Sequence, residues 1–303
     1  MRAFRYVLVD VFTDTPLQGN ALAVFTDARE LPEELLQPFA RELNLSETVF
    51  VYKPGGGPHP AAGAQPARSA EAAEPEGHAR IRIFTPSVEI PFAGHPVLGT
   101  AFVLAGPLQL LEIRLETGQG IVPVLLEREE DRITFGRMSQ PLPSVEAYGE
   151  EAKLLRALGL DRSELPVEVY DNGIQHVYVG LPSREEVSAL RPDLAALAHL
   201  PAVLGINCFA GEGGHWKTRM FAPGEGLGIA EDPATGSAAG PLALHLARHG
   251  RIEFEQEIEI SQGAEIGRPS TLYATVAGSA ERIERIEVGG SAVVVARGEF
   301  RLP

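Results

Sequence analysis

The sequence contains little cysteine and few basic side chains. Cys208 is the single cysteine among 303 residues, which excludes a disulfide within the chain and any multi-cysteine metal site, and fits a reducing compartment. Lysine and arginine number 26 against 41 aspartates and glutamates, a net charge of -15. Nucleic acid and acidic membranes are therefore disfavoured as partners, although a local cleft can still bind an anion. We expect a cytoplasmic protein.

Long apolar runs and nucleotide-binding motifs are also missing. No stretch approaches the length of a membrane span, and Asp10 interrupts the one apolar segment that follows the basic N-terminus, so residues 1–12 predict a β-strand rather than a signal peptide. Neither GxGxxG nor the P-loop pattern occurs. With 44% hydrophobic and 22% charged residues, the composition is typical of a globular protein long enough for two domains.

What the sequence does contain is an internal repeat centred on two glycine turns. Residues 91–106 (PFAGHPVLGTAFVLAG) and 231–250 (EDPATGSAAGPLALHLARHG) each place an alanine and a glycine six positions apart around a polar turn that enters an apolar helix. RIFTP at 82–86 precedes the first turn and RMFAP at 219–223 precedes the second. The repeat predicts a strand, turn and helix unit that is used twice.

The alignment extends upstream, where LSETVF at 45–50 matches LGINCF at 204–209. Each glycine turn opens a helix, and the free N–H groups of a first helical turn favour a carboxylate. Two such starts at Gly94 and Gly236, brought together by a pseudo-twofold axis, would form a cleft for a small acid. The alternative is two ordinary helix starts capped by a hydroxyl.

Strand and helix patterns place these turns in an α+β protein. Residues 32–43, 151–160 and 184–200 have helical periodicity, and strands precede and follow each glycine turn, mostly in antiparallel order. Residues 54–79 are Pro, Gly, Ala and Glu throughout and predict a mobile, dispensable loop. A domain boundary falls near residues 108–117.

The chain resembles the phenazine-biosynthesis isomerase family over almost its whole length except the 54–79 loop. The matching stretches are GNALAVF, ARELNLSETVF, RIFTPSVEIPFAGHPVLGTA, INCFAG, RMFAP, EDPATGSAAGPLALHLARHG and EIGRPS. The resemblance implies the diaminopimelate epimerase-like fold: two pseudo-symmetric domains, each a mostly antiparallel, barrel-like sheet around a central helix. We place these domains at 1–113 and 114–303, and the last strand, near 285–303, can return to the first domain. The resemblance also implies a homodimer.

The same resemblance implies a proton shift without metal or organic cofactor in a small cyclic amino acid of dihydroanthranilate type. One carboxylate removes hydrogen from C3 and returns it at C1, and the resulting enol becomes a ketone. By motif match the acid/base is Glu47, and His95, Asp232 and Ser237 are further site residues. Gly94 and Gly236 of the two turns would bind the substrate, together with Ser237.

The chemistry of Glu47 supports an acid on one side of the duplicated fold. Burial at the edge of an apolar strand would raise its pKa toward neutrality, whereas the plainer alternative is a solvated glutamate at a strand start. Its counterpart in the repeat is Ile206. Related epimerases carry a cysteine in each glycine turn; these turns have none, and Cys208 is expected to be a small buried residue. Inversion by two thiols is therefore excluded, and a proton shift by one base along a single face of the substrate remains possible.

The other three side chains each have two interpretations. His95 at a helix start is a neutral donor to the substrate or a structural turn histidine. Asp232 accepts from a substrate amine and orients His95, or caps the helix. Ser237 donates to a carboxylate, caps its helix, or does both.

His245 and His249 lie four positions apart on the second central helix and could share one face. No acid stands at the expected spacing, which favours a structural pair over a metal site. Two functions compete with the proposed isomerase. One is a non-catalytic sensor or partner-binding protein for small acids on the same fold, and the other is an isomerase of a different amino or hydroxy acid.

Overall fold

The computed structural model describes residues 2–56, 77–200, 205–224 and 229–302. The predicted 54–79 loop lies largely outside these ranges. No helix within them is long and apolar enough to cross a membrane.

Strands dominate the fold. They are β1 (Arg2–Val11), β2 (Asn20–Phe25), β3 (Glu47–Tyr52), β4 (Ala79–Phe84), β5 (Glu89–Ile90), β6 (Glu112–Thr117), β7 (Gly120–Glu129), β8 (Arg132–Ser139), β9 (Ser144–Ala147), β10 (Glu168–Asp171), β11 (Gln175–Gly180), β12 (Gly205–Glu212), β13 (His215–Ala222), β14 (Ile229–Asp232), β15 (Ile258–Gln262), β16 (Ser270–Gly278), β17 (Ile283–Gly290) and β18 (Ala292–Leu302). The helices are α1 (Leu36–Leu43), α2 (Gly94–Leu108), α3 (Glu151–Leu158), α4 (Arg184–Ala189), α5 (Leu194–Ala198) and α6 (Gly236–Arg248), with 3-10 turns at Glu33–Leu35 and Ala264–Ile266.

The strand pairings repeat between the two halves of the chain. In the first half β2 and β3 are parallel, β3 and β4 antiparallel, β4 and β6 parallel, and β6, β7 and β8 antiparallel. The strands β11, β12, β13, β15, β16 and β17 follow the same sequence of directions. Phe50 of β3 faces Arg82, whereas Cys208 of β12 faces Arg219. The structure therefore confirms the repeat of strand directions, but the alignment of Glu47 with Ile206 is wrong by one residue. With the two arginines matched, the counterpart of Glu47 is Gly205.

The last strand of each half pairs with the first strand of the other. β18 runs antiparallel to β1 along its length, β9 pairs with β10, and β8 joins β17 where the halves meet. All strands thus belong to one continuous sheet. Each half contributes nine strands, mostly antiparallel, and within the described residues the sheet stays open rather than closing into a full barrel. The boundary at residues 113 and 114 stays a prediction.

Each half encloses one of the two apolar helices. α6 is buried at every position from Gly236 to Ala247. α2 contacts β1, β2, β6 and β8, and its first twelve residues include ten that are buried. A helix that is apolar on all sides must lie inside a core, so these helices form the centres of their halves.

The RIF and RMF stretches of the repeat each contain an arginine, and the two arginines make equivalent contacts. Arg82 pairs with Glu89 at 2.6 Å, and Arg219 pairs with Glu231 at 2.7 Å. Each guanidinium also lies 5.0–5.2 Å from the ring of the phenylalanine two positions later. The ion pair joins two neighbouring strands, and so braces the strand pair that leads into each glycine turn.

One predicted element differs from the structure. The pattern at 184–200 predicted a single helix, whereas α4 ends at Ala189 and α5 begins at Leu194. Pro192 lacks an N–H group and disfavours helical geometry in the residue before it. Asp193 then caps the second helix by accepting from the backbone N–H of Ala196.

Candidate active site

The two glycine turns meet backbone to backbone. A Cβ on Gly94 would lie 2.5 Å from the carbonyl carbon of Gly236 and 2.5 Å from the nitrogen of Ser237, a separation that real side chains do not adopt. Only glycine permits the helices to start side by side. The capping alternative is wrong, because neither helix start has a side-chain cap. The Thr235 hydroxyl donates to Asp232, and the Ser237 hydroxyl lies 3.0 Å from Nε2 of His176.

All six site residues predicted from the sequence border one cavity between these helix starts: Glu47, Gly94, His95, Asp232, Gly236 and Ser237. The cavity is narrow, since only about 10 Å³ of it can hold the centre of a water molecule, which is room for about one water. Six further residues line it, namely Ala93, Ile174, His176, Met220, Ile229 and Thr235. The structure brings these residues together, and their chemical roles remain predictions.

Glu47 begins β3, and its side chain is only 9% exposed. Burial raises its pKa well above the ordinary value, and the charge of Asp232 raises it further. Its Oε2 lies 3.4 Å from Nε2 of His95. Within the described part of the chain, neither of these two buried atoms has a hydrogen-bond partner. Both are therefore available to a ligand in the cavity.

Asp232 ends β14 and is surrounded by donors. Its Oδ1 accepts from Asn20 at 2.9 Å and from Ser46 at 3.1 Å, and its Oδ2 accepts from the Thr235 hydroxyl at 2.6 Å. Burial raises the pKa of Asp232 to about 6, while the three donors favour its charged form. When the two carboxyls hold one proton, it therefore lies on Glu47, whose Oε2 has no donor.

His95 is the second residue of α2 and is buried. Burial lowers the pKa of the imidazole to about 3, so the ring is neutral at pH 7. The sequence had assigned this neutrality to the helix dipole, whereas the structure assigns it to burial. Asn20 lies between His95 and Asp232, with its amide nitrogen 3.2 Å from Nδ1 of the imidazole and 2.9 Å from the carboxylate.

His176 is a cavity residue that the sequence did not single out. It lies on β11, its Nε2 is 3.0 Å from Oγ of Ser237, and burial lowers the pKa of its imidazole to about 3. The amide nitrogen of Asn207 lies 3.4 Å from its Nδ1. The sequence offered one signal, a histidine inside the otherwise apolar strand QHVYVG. Such a histidine is just as often a hydrogen-bonded residue of the protein core as a functional one.

Three buried side chains hold the first turn of α6 from the opposite side. Gln140 donates to the carbonyl of Gly236 at 2.7 Å, Asn172 to that of Ser237 at 2.9 Å, and Tyr178 to that of Ala238 at 2.7 Å. These bonds fix the carbonyls of the turn. The first turn of α6 is thus placed by residues distant in sequence.

The histidine pair on α6 does have an acid beside it, contrary to the sequence expectation. Glu168 of β10 places Oε2 at 3.1 Å from both His245 and His249. The same oxygen accepts from Tyr170 at 2.9 Å and from Arg248 at 2.8 Å. A carboxylate oxygen occupies the centre of this cluster, and the guanidinium already supplies its counter-charge. We interpret it as a structural ion pair rather than as a cation site.

The fold and the cavity define an epimerase-like protein, with two helix starts enclosing a buried acid pair. A probable proline racemase from Agrobacterium radiobacter shares this fold with a TM-score of 0.63 at 12% identity, over 99% of this chain and 93% of that one. A phenazine biosynthesis protein from Bacillus anthracis matches with a TM-score of 0.79 at 25% identity over 100% of both chains.

The chain belongs to the phenazine biosynthesis-like protein family, whose model matches residues 9–298. Trans-2,3-dihydro-3-hydroxyanthranilate isomerases of Pseudomonas fluorescens and Pseudomonas aeruginosa are each 49% identical to it, covering 98% of this chain and 99% of theirs. The family, the α+β epimerase-like fold and the isomerase class expected from the sequence are confirmed.

Proposed function

We propose that the protein is a trans-2,3-dihydro-3-hydroxyanthranilate isomerase of phenazine biosynthesis, acting through one acid/base carboxylate. The observation that carries the mechanism is the position of Glu47. It is buried at the cavity, its Oε2 has no donor within the described residues, and it faces a neutral imidazole at 3.4 Å. The curated relatives of that name supply the substrate.

In the proposed reaction the ionised Glu47 removes the proton from C3 of the ring. The electron pair of the broken C3–H bond forms a C3=C4 double bond, the C4=C5 pair moves to C5=C6, and the C6=C1 pair forms the new C–H bond at C1 with the proton that Glu47 returns. The hydroxyl at C3 then belongs to an enol, which becomes a ketone. A single carboxylate suffices because removal and return occur on the same face of the ring.

The remaining cavity groups would bind and orient the substrate. The N–H groups at the two helix starts and the hydroxyl of Ser237 suit its carboxylate. Asp232 suits its ammonium, and His95 presents a neutral donor to its hydroxyl. An ammonium beside Asp232 would also cancel the charge that helps to hold the proton on Glu47, so substrate binding itself would favour the ionised base.

The test is the ultraviolet change as the dihydroanthranilate diene rearranges in deuterated water, combined with calorimetric binding of a stable analogue. We expect turnover by the wild-type protein. An inert protein that binds the analogue would favour the small-acid sensor or an isomerase of another acid. Failure to bind would remove the proposed substrate class.

We further propose a cytoplasmic homodimer. Ile121 and Leu125 point outward from β7 and are 36% and 50% exposed, which offers an apolar strip to a second copy. The free, buried Cys208 suits a reducing cytoplasm. Light scattering at micromolar concentration that returned the chain mass of 32.5 kDa would contradict the dimer.

A further inference from the structure

Asn20, the first residue of β2, links the two sides of the cavity. It is 1% exposed, and its amide nitrogen lies 2.9 Å from Oδ1 of Asp232 and 2.9 Å from the carbonyl oxygen of Ala234. The same nitrogen is 3.2 Å from Nδ1 of His95. One side chain from the first half thus contacts the acid of the second half and the histidine of the first.

The orientation of this amide is determined by its neighbours. A carboxylate oxygen and a backbone carbonyl can only accept, so the group that faces both of them must be the NH2 and not the oxygen of the amide. A ring nitrogen 3.2 Å from an NH2 group cannot itself carry a hydrogen, because two N–H groups would then oppose each other. Asp232, Ala234 and His95 are thus three acceptors for the two hydrogens of the NH2 group, and the contact to His95 is the longest of the three.

We infer that Asn20 is a positioning residue that keeps the proton of His95 on Nε2 and holds Asp232 in its charged form. With Nδ1 facing the NH2 group, the single hydrogen of the neutral ring lies on Nε2, which is 3.4 Å from Oε2 of Glu47 and has no hydrogen-bond partner within the described residues. The inference rests on the proposed function in assigning this hydrogen to the substrate. In that assignment, His95 donates to the substrate oxygen while Glu47 moves the proton.

The segment before Asn20 is anchored to the second half of the chain, which keeps the amide in place. Arg268 donates to the carbonyl of Gly19 at 2.8 Å, to that of Gln18 at 2.8 Å, and to the buried Asp10 at 2.7 Å. This contact explains the EIGRPS stretch, which no cavity residue otherwise accounts for. The position of Asn20 therefore depends on contacts between the two halves.

The test is the protonation of each ring nitrogen of His95, measured by nitrogen-15 NMR of protein with labelled histidine and assigned from the spectrum of His95→Gln. We expect an unprotonated Nδ1 and a protonated Nε2 in the wild-type protein. Asn20→Asp, measured at a pH where this carboxyl and that of Asp232 are both ionised, places an acceptor beside Nδ1 and should move the proton to it. Turnover should then fall by roughly a hundredfold or more, because the donor is lost from the cavity.

Gln37→Ala serves as the matched control. It removes a single side-chain hydrogen bond away from the cavity, in which the amide of Gln37 donates to the carbonyl of Thr85 at 2.8 Å. It should leave both the ring spectrum and turnover unchanged. A protonated Nδ1 in the wild-type protein would overturn the inference, even if Asn20→Asp failed to fold. So would a folded Asn20→Asp protein that kept its proton on Nε2. The NMR result stands whether or not the protein acts on dihydroanthranilate, which separates this inference from the proposed function.

Discussion

The two halves of the molecule share strand directions and a central helix, but they differ at the position that faces the cavity. Glu47 in β3 borders the cavity, whereas the residue at the same register of β12 is Gly205, which has no side chain. The first half thus supplies an acid and His95, whereas the second supplies Asp232 and the hydroxyl of Ser237. The repeat gives both sides of the cleft the same backbone arrangement, and the side chains around it make the two sides chemically different.

The symmetric parts of the comparison are structural. The arginine pairs at Arg82 and Arg219 and the abutting glycine turns recur in both halves, and neither arginine borders the cavity. The asymmetric parts are the titratable groups around the cavity. Substitutions of the titratable groups around the cavity should therefore affect the reaction, while substitutions in the parts common to both halves should affect stability.

The largest expected effect comes from removing the acid. Glu47→Gln keeps the size of the side chain but cannot transfer the proton, so turnover should fall at least roughly a hundredfold to ten-thousandfold. Affinity for a stable analogue should change much less, since the helix starts bind the carboxylate. Exposed Glu127→Gln is the matched control and should retain turnover. Near-normal turnover of Glu47→Gln would remove the one-base mechanism.

The same variant should alter how stability depends on pH. The pKa of Glu47 is raised in the folded protein by burial, so folding favours its protonated form and stability falls as pH rises above its ordinary value near 4.5. Glu47→Gln removes part of this decline and should raise Tm at pH 7 relative to wild type. Thermal melts from pH 4 to pH 8 measure the difference, and an unchanged decline would contradict the buried charge.

A carboxyl in the equivalent strand of the other half should be destabilising. Ile206→Glu places it among the buried apolar side chains packed on β12, next to Gly205, the counterpart of Glu47. We expect a loss of about 3 kcal/mol in the free energy of unfolding. Ile206→Val is the control and should cost about 1 kcal/mol. Equal losses in urea titrations would show that the site tolerates a charge and that the asymmetry is not enforced by packing.

Removing the other acid should move the pH dependence. The charge of Asp232 raises the pKa of Glu47, so in Asp232→Asn that pKa should fall and the ascending limb of the kcat/KM profile should shift to lower pH. Binding and turnover should also weaken together, because Asp232 is assigned to orientation. A profile that kept its ascending limb at the wild-type pH would show that Asp232 does not act on Glu47.

The smallest effects belong to the symmetric arginines. Arg82→Lys and Arg219→Lys each lose a bidentate pair and should each lower the free energy of unfolding by about 1–2 kcal/mol. Turnover should fall more for Arg219→Lys, since its partner Glu231 directly precedes Asp232. Comparable turnover in the two variants would show that the brace does not reach the cavity.

Much of this arrangement could be predicted from the sequence because it depends on local patterns. The glycine turns and the apolar central helices follow from spacing in two aligned copies. The alignment of Glu47 with Ile206 was wrong by one residue, because strand pairing and not spacing along the chain sets the register. Failures occurred where distant chain segments decide. Pro192 divides a helix, Glu168 reaches the histidine pair from another strand, and His176 enters the cavity from β11.

By itself, then, the sequence determined the family, the α+β class and six of the twelve residues that line the cavity, since each is carried by a motif that is contiguous in the chain. Only the tertiary structure decided the protonation states. The pKa of Glu47, the tautomer of His95 and the charge of Asp232 depend on burial and on Asn20, whose contacts to Asp232 and Ala234 span more than 200 residues. Local patterns record which groups are present, whereas hydrogen bonds and solvent exclusion between distant segments determine which of them hold a proton.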